Sequence, residues 1–236
     1  MTPSAELDLL EEDAASARLG RMGTRVFDAV RAAIVQLRFR PGNLLSEADV
    51  ARQLGVSRQP VREAFIKLAE IGLVDVKPQR GTFVKLISIR QVQDVRFIRE
   101  AIEVAVVRKA AHEASPARIA QLHELLEGQR KAGEAADNSE FLRLDEAFHQ
   151  ALAHSVGTDY AWRVLENLKA QMDRVRYLSM PDATPFDVLV GQHAAITDAI
   201  ARHSADEAEA AMRVHLSEIL TSLPRLAQAH PELFTD

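Results

Sequence analysis

Two short amphipathic runs meet at Gly55-Val56-Ser57, and this junction constrains the fold more than any other stretch of the chain. Before it, Val50, Ala51 and Leu54 share one face of a helix predicted to open at Ser46, with Asp49 three residues on, and to close at Gly55. A serine N-cap and a glycine in the left-handed conformation are the preferred boundaries of such a helix. After it, Val61, Ala64, Phe65, Leu68 and Ile71 recur at helical spacing, which turns one face inward. Arg58, Gln59 and Arg62 are left at the outward-facing start of that helix. Its first residue is open: Ser57 as N-cap puts Pro60 at the third position, whereas Gln59 as N-cap puts Pro60 first, where proline is favoured. Arginines and a glutamine at a helix N-terminus are suited to phosphates and base edges, so this pair is expected to be a helix-turn-helix.

The flanking residues complete a small module. Val26, Val30, Ala33, Ile34 and Leu37 mark a preceding helix that ends before Pro41-Gly42. Gly72 ends the second run of the pair, and Leu73–Lys77 and Thr82–Leu86 are β-prone runs around Pro78-Gln79-Arg80-Gly81. Turn residues between two such runs predict a hairpin, and three helices with a hairpin make a winged helix-turn-helix with Arg80 and Gly81 at the wing tip. An arginine there suits the negative potential of a minor groove, and a glycine permits close backbone approach.

Charge separates this module from the remainder. The formal net charge is −5, yet residues 52–85 carry seven basic and three acidic side chains, leaving the rest of the chain at −9. A basic module joined to an acidic body is the footprint expected of a nucleic-acid-binding domain attached to something else. With only 5% aromatic residues, a single-stranded nucleic acid would find little surface to stack on. The absence of cysteine excludes disulfides and thiolate metal sites. No apolar run approaches the ~20 residues of a membrane span, and the acidic start does not resemble a signal peptide, so a cytoplasmic protein is expected.

From Ser88 onward the pattern is helix after helix, with starts at Ser88, Ser115-Pro116, Ser139, Thr158, Phe186 and Ser204. The expected fold is mainly α: an acidic tail over 1–20, a winged helix-turn-helix over 21–87, an all-α antiparallel bundle of about six helices over 88–224, and a C-terminal tail over 225–236. Polar residues interrupt the bundle's apolar stripes at four places. Asp145 and His149 lie among Phe141, Leu144, Phe148 and Leu152; His193 lies with Leu189, Ile196 and Ile200; His215 lies with Ala208, Ala211, Met212 and Ile219. Buried polar groups need partners. Hydrogen bonds, with an Asp145–His149 ion pair, meet that need; so does a divalent metal, since three imidazoles and a carboxylate suit Zn²⁺, Ni²⁺, Co²⁺, Fe²⁺ or Mn²⁺.

Several motifs carry a family resemblance. Pro41-Gly42, Leu45-Ser46-Glu47, Leu54-Gly55-Val56-Ser57-Arg58, Pro60-Val61-Arg62-Glu63-Ala64 and Gly72-Leu73 resemble the DNA-binding domain of GntR-type transcriptional regulators. Arg99, Glu103, Asp145-x-x-Phe148-His149, His193-Ala194-Ala195-Ile196 and Met212-Arg213-Val214-His215-Leu216 resemble the helical effector-binding (FCD) domain of the FadR-like subgroup. The resemblance spans residues 24–222. It implies a homodimeric regulator, a repressor rather than an enzyme, that binds double-stranded DNA at a palindromic operator and responds to a small organic acid. It places DNA contacts on Ser57, Arg58, Gln59, Arg62, Arg80 and Gly81, and a divalent metal, Zn²⁺ first, on Asp145, His149, His193 and His215. Arg99 and Arg174 are the candidate cations for the effector. A metal-dependent enzyme fused to a DNA-targeting domain, and a regulator with a purely structural metal, are the alternatives. The chain departs from the family pattern at Ala48, where an arginine is common, and at Gly157-Thr158-Asp159, where Gly-Asn is common.

Overall fold

The computed structural model describes residues 19–180 and 182–236, with side chains from residue 22 onward, so the expected acidic tail lies outside the described residues. The chain divides into two compact units: residues 89–229, and the remainder, to which the last residues, 230–236, belong.

In the first unit, α1 (Leu19–Val35), α2 (Glu47–Leu54) and α3 (Arg58–Glu70) pack through Val26, Val30, Ile34, Val50, Leu54, Val61, Phe65 and Leu68. Ser46 caps α2 by accepting a hydrogen bond from the Asp49 amide, and Gly55 ends it at φ +64°. Ser57 is the N-cap of α3. Pro60 therefore sits in the first turn, where its missing N–H leaves no intrahelical bond unmade. β2 (Val74–Lys77) and β3 (Gly81–Val84) form the hairpin, with Val74 opposite Val84 and Lys77 opposite Gly81. A two-residue strand, β1 (Leu44–Leu45), adds to the other edge of β3. No sequence pattern marks a strand that short.

Helix α4 (Ile89–Glu113) opens the second unit, followed by α5 (Pro116–Glu134), α6 (Asn138–Ser155), α7 (Asp159–Leu168), α8 (Ala170–Ser179), α9 (Phe186–Ala201) and α10 (Ala205–Ala229). The expected fourth bundle helix is thus two, broken at Lys169. Its ammonium is buried between Glu146 and Asp173 and lies over the Trp162 ring. The core runs through Val107, Leu122, Phe148, Leu152, Leu165, Ile196, Ile200 and Met212.

Residues 225–236 are not a separate tail. Helix α10 passes through Pro224, and Leu223 and Leu226 are buried on either side of it. After a 3₁₀ turn at Pro231–Leu233, β5 (Phe234–Thr235) pairs in parallel with β4 (Ile87–Ser88) of the first unit. Burial of Ile87 and Phe234 accompanies that return.

Candidate metal centre and nucleic-acid interface

Asp145 and His149 lie one turn apart on α6, His193 is on α9 and His215 on α10, and all four are buried. One ligand atom from each lies within 4.8 Å of the others. His215 Nε2 is 3.1 Å from His149 Nε2 and 3.3 Å from His193 Nε2. Asp145 Oδ1 is 3.7 Å from His193 Nε2, and Asp145 Oδ2 is 3.8 Å from His149 Nε2.

The neighbours decide which ring nitrogens carry protons. His193 Nδ1 faces Gln129 Oε1 at 2.8 Å, and the Gln129 amide is oriented by donation from its Nε2 to the Leu144 carbonyl. His215 Nδ1 faces Gln192 Oε1 at 3.0 Å, and that amide is oriented by donation from its Nε2 to Glu218. His149 Nδ1 faces the Glu103 carboxylate at 2.5 Å, which in turn accepts from Arg99 Nε at 2.6 Å. The Nδ1 atoms of His193 and His215 therefore donate to amide oxygens, and these two neutral rings present Nε2 lone pairs toward each other and toward His149 Nε2. Burial, above all, lowers His193 to about 3 and His215 well below the ordinary histidine value, keeping both neutral.

The inward-facing Nε2 atoms of the three rings repel one another unless a proton or a cation lies among them. Asp145 Oδ1 is buried with no hydrogen-bond partner, and burial alone would raise this carboxyl. The charge of Arg176 outweighs that burial and holds Asp145 far below the usual carboxylate range. Metal–nitrogen bonds of about 2.0–2.1 Å place neighbouring ligand atoms about 3–3.5 Å apart, close to the nitrogen separations here. The donor set fits one divalent cation, with histidine orientation supplied by outer acceptors as in other metal sites.

Beside this centre opens a small cavity, partly open to solvent. Arg99, Arg176 and His215 are among its polar lining residues, and Met180, Leu189, Leu216 and Ile219 among its apolar ones. Arg99 also reaches Met172 Sδ and stands 3.4 Å from His149 Nε2. Arg176 is bonded to Asp145 and lies near Asp173. Burial lowers the Arg176 pKa, but those two carboxylates outweigh it and raise the group above the ordinary arginine value.

In the other unit, Ser57, Arg58, Gln59 and Arg62 are exposed along the first turns of α3, and Arg80 and Gly81 at the wing. The Ser57 hydroxyl caps nothing. Arg62 reaches both carboxylate oxygens of Glu47 at 3.2 Å, and Gln59 donates to Glu63 at 2.9 Å. Gly81 has a local reason to be glycine: φ is +107°, and a Cβ there would come within 2.6 Å of Leu44 Cδ1.

Comparison with known proteins gives this pairing of modules a family. The model described as "Bacterial regulatory proteins, gntR family" matches residues 22–84, and the FCD domain matches residues 94–218. The HTH-type transcriptional repressor RspR of Escherichia coli K12 is 42% identical over 212 residues, covering 90% of this chain and 93% of that protein. The chain belongs to the GntR family. This GntR member is a DNA-binding transcriptional regulator and not an enzyme. A probable D-xylose utilization operon transcriptional repressor of Paenarthrobacter nicotinovorans is 28% identical over 210 residues, covering 88% and 92% of the two chains. Among solved structures, a GntR regulator from Rhodococcus sp. RHA1 superposes with a TM-score of 0.73 at 26% identity, over 86% of this chain and 98% of that one. E. coli McbR/YncC gives 0.75 at 21% identity, over 89% and 98%, a likeness of fold.

Within this GntR fold the six sequence-selected DNA residues share the first unit, and the four selected ligands converge in the second. The two candidate effector cations part company. Arg99 lines the cavity. Arg174 does not: it is fully buried, bonded to Gln171 at 3.1 Å, and lowered to about 10 by burial. The cavity's second cation is Arg176, one of a stripe with Met172, Ser179 and Met180. Sequence patterning also missed Gln129, Gln192 and Glu218, and the Arg62–Glu47 pair. Gln129 had a legible signal, a glutamine two turns after Leu122 and one after Leu126 on the buried face of α5.

Proposed function

We propose that the protein represses transcription by binding a palindromic operator as a homodimer, and that a small carboxylic acid entering the α-helical unit controls this binding. The observation that carries the reading is the convergence of three Nε2 atoms and the unpartnered Asp145 Oδ1, beside a cavity lined by two arginines. Asp145, His149, His193 and His215 would hold a divalent ion, Zn²⁺ first, which supplies Lewis acidity toward a carboxylate. Arg99 and Arg176 flank the approach and orient the anion, while Met180, Leu189 and Ile219 exclude water from its apolar part.

Arg58 and Arg62 are the groups for guanine or phosphate contact, with Ser57 and Gln59 supporting them at the helix start and Arg80 reaching from the wing. The Glu47–Arg62 pair is exposed and weak, so it holds the guanidinium until DNA replaces it. Both α4, with Arg99 and Glu103, and α10, with His215, run on covalently into the DNA-binding unit. A ligand acts only through its different affinity for DNA-competent and DNA-incompetent states. The relatives named as repressors favour repression as the output.

Operator binding measured by fluorescence anisotropy, with butyrate-sized acids added before and after chelation, tests this. Release by an acid only in the metal-loaded protein is expected. Operator affinity unmoved by every acid would overturn effector control, and a response that survives chelation would overturn the metal's part in it.

A further inference from the structure

The charged and polar groups lining the cavity are of two kinds. Arg99 and Arg176 each already bind a carboxylate of the protein, Glu103 and Asp145, so neither holds surplus charge for a second ligand carboxylate. The lining also presents acceptors. The Ser179 hydroxyl donates to the Arg176 carbonyl at 2.8 Å and that of Ser222 to the Ile219 carbonyl at 3.3 Å. Their protons are thereby spent, which leaves these lining hydroxyls as acceptors. Glu218, partly buried and also in the lining, is held by Gln192 Nε2 at 3.0 Å. The same Gln192 accepts from His215 Nδ1, so Glu218 is one amide removed from a candidate metal ligand.

We infer that Glu218 determines specificity in this cavity, admitting monocarboxylates that also carry a hydroxyl and rejecting dicarboxylates. This rests on the carboxylate-effector reading above. A ligand hydroxyl donates to Glu218, Ser179 or Ser222. A second ligand carboxylate meets a fixed like charge in a partly desolvated space, which is costly. A methyl group in its place leaves the acceptors unmatched.

Butyrate, 4-hydroxybutyrate and succinate share chain length and one carboxylate and differ only at the far carbon. Calorimetric titration of each into the Zn-loaded full-length protein, wild type and Glu218→Gln, separates the cases. In the wild type, 4-hydroxybutyrate is expected to bind at least tenfold more tightly than succinate, with butyrate between them. Glutamine keeps an acceptor and gains a donor, so Glu218→Gln is expected to improve succinate binding at least tenfold while holding 4-hydroxybutyrate within a few-fold. Succinate binding the wild type as tightly as 4-hydroxybutyrate would overturn the inference, as would an unchanged ranking in the variant, with the carboxylate site itself left standing. Failure of all three acids to bind the Zn-loaded wild type would overturn both the inference and the effector reading beneath it.

Discussion

Replacing Gln129 by methionine isolates the force that arranges the metal centre. The side chains are nearly equal in size, so packing changes little. Two bonds disappear: the 2.8 Å contact that fixes His193 Nδ1 as a donor, and the 3.2 Å bond to the Leu144 carbonyl. Each orphaned buried group costs about 1–3 kcal/mol, which lowers the stability of the metal-free protein. The specific consequence lies in the ring. Without an acceptor at Nδ1, His193 is free to take the other tautomer, whose Nε2 proton opposes metal ligation. Loss of an outer acceptor typically weakens metal affinity 10–100-fold, or about 1.4–2.7 kcal/mol. Competition against a fluorescent chelator at pH 7.5, on samples shown folded by circular dichroism, reads this directly. The Gln129→Glu substitution retains the acceptor and is expected to recover most of the affinity. Unchanged Zn²⁺ affinity in a folded Gln129→Met protein would refute the tautomer reasoning.

Further expectations concern the first unit. Arg62→Ala should weaken operator binding by about 1–3 kcal/mol per half-site while leaving Zn²⁺ content unaltered; a mobility-shift assay showing full affinity would remove Arg62 from the interface. Gly81→Ala should destabilise the wing by about 1–3 kcal/mol, because alanine disfavours φ +107° and its Cβ would press on Leu44; thermal unfolding indistinguishable from wild type would contradict this. Phe234→Ala should cost up to about 3 kcal/mol by undoing the burial that accompanies the β4–β5 pairing. Amide exchange at Ile87 and Ser88 that stays as slow as in wild type would show that pairing to be inconsequential.

The sequence was most legible where local chemistry and tertiary structure agree. Ser46 and Gly55 mark helix ends because capping and left-handed geometry are local events, and each falls where the pattern placed it, whereas the pattern left the next helix open between Ser57 and Gln59 and the structure takes Ser57. Asp145, His149, His193 and His215 stand out because a polar residue within an apolar stripe is conspicuous, and three helices bring those stripes to one point. What stayed hidden depends on long-range partners or on helix phase. Gln192 matters through His215 and Glu218, which lie on another helix. Arg176 replaces Arg174 in the cavity because the break at Lys169 restarts the helix and resets which residues face inward. The β4–β5 pair spans 147 residues of chain between Ile87 and Phe234, and two residues per strand leave no periodicity to read.

Zn²⁺ stoichiometry, by elemental analysis after dialysis, tests the central claim most directly when wild type and His193→Ala are compared. One ion per chain is expected in the wild type, and loss of most of it in the variant, with helix content and operator binding retained. A wild type that holds no metal, or a His193→Ala protein that holds as much as wild type, would contradict a metal centre built from Asp145, His149, His193 and His215.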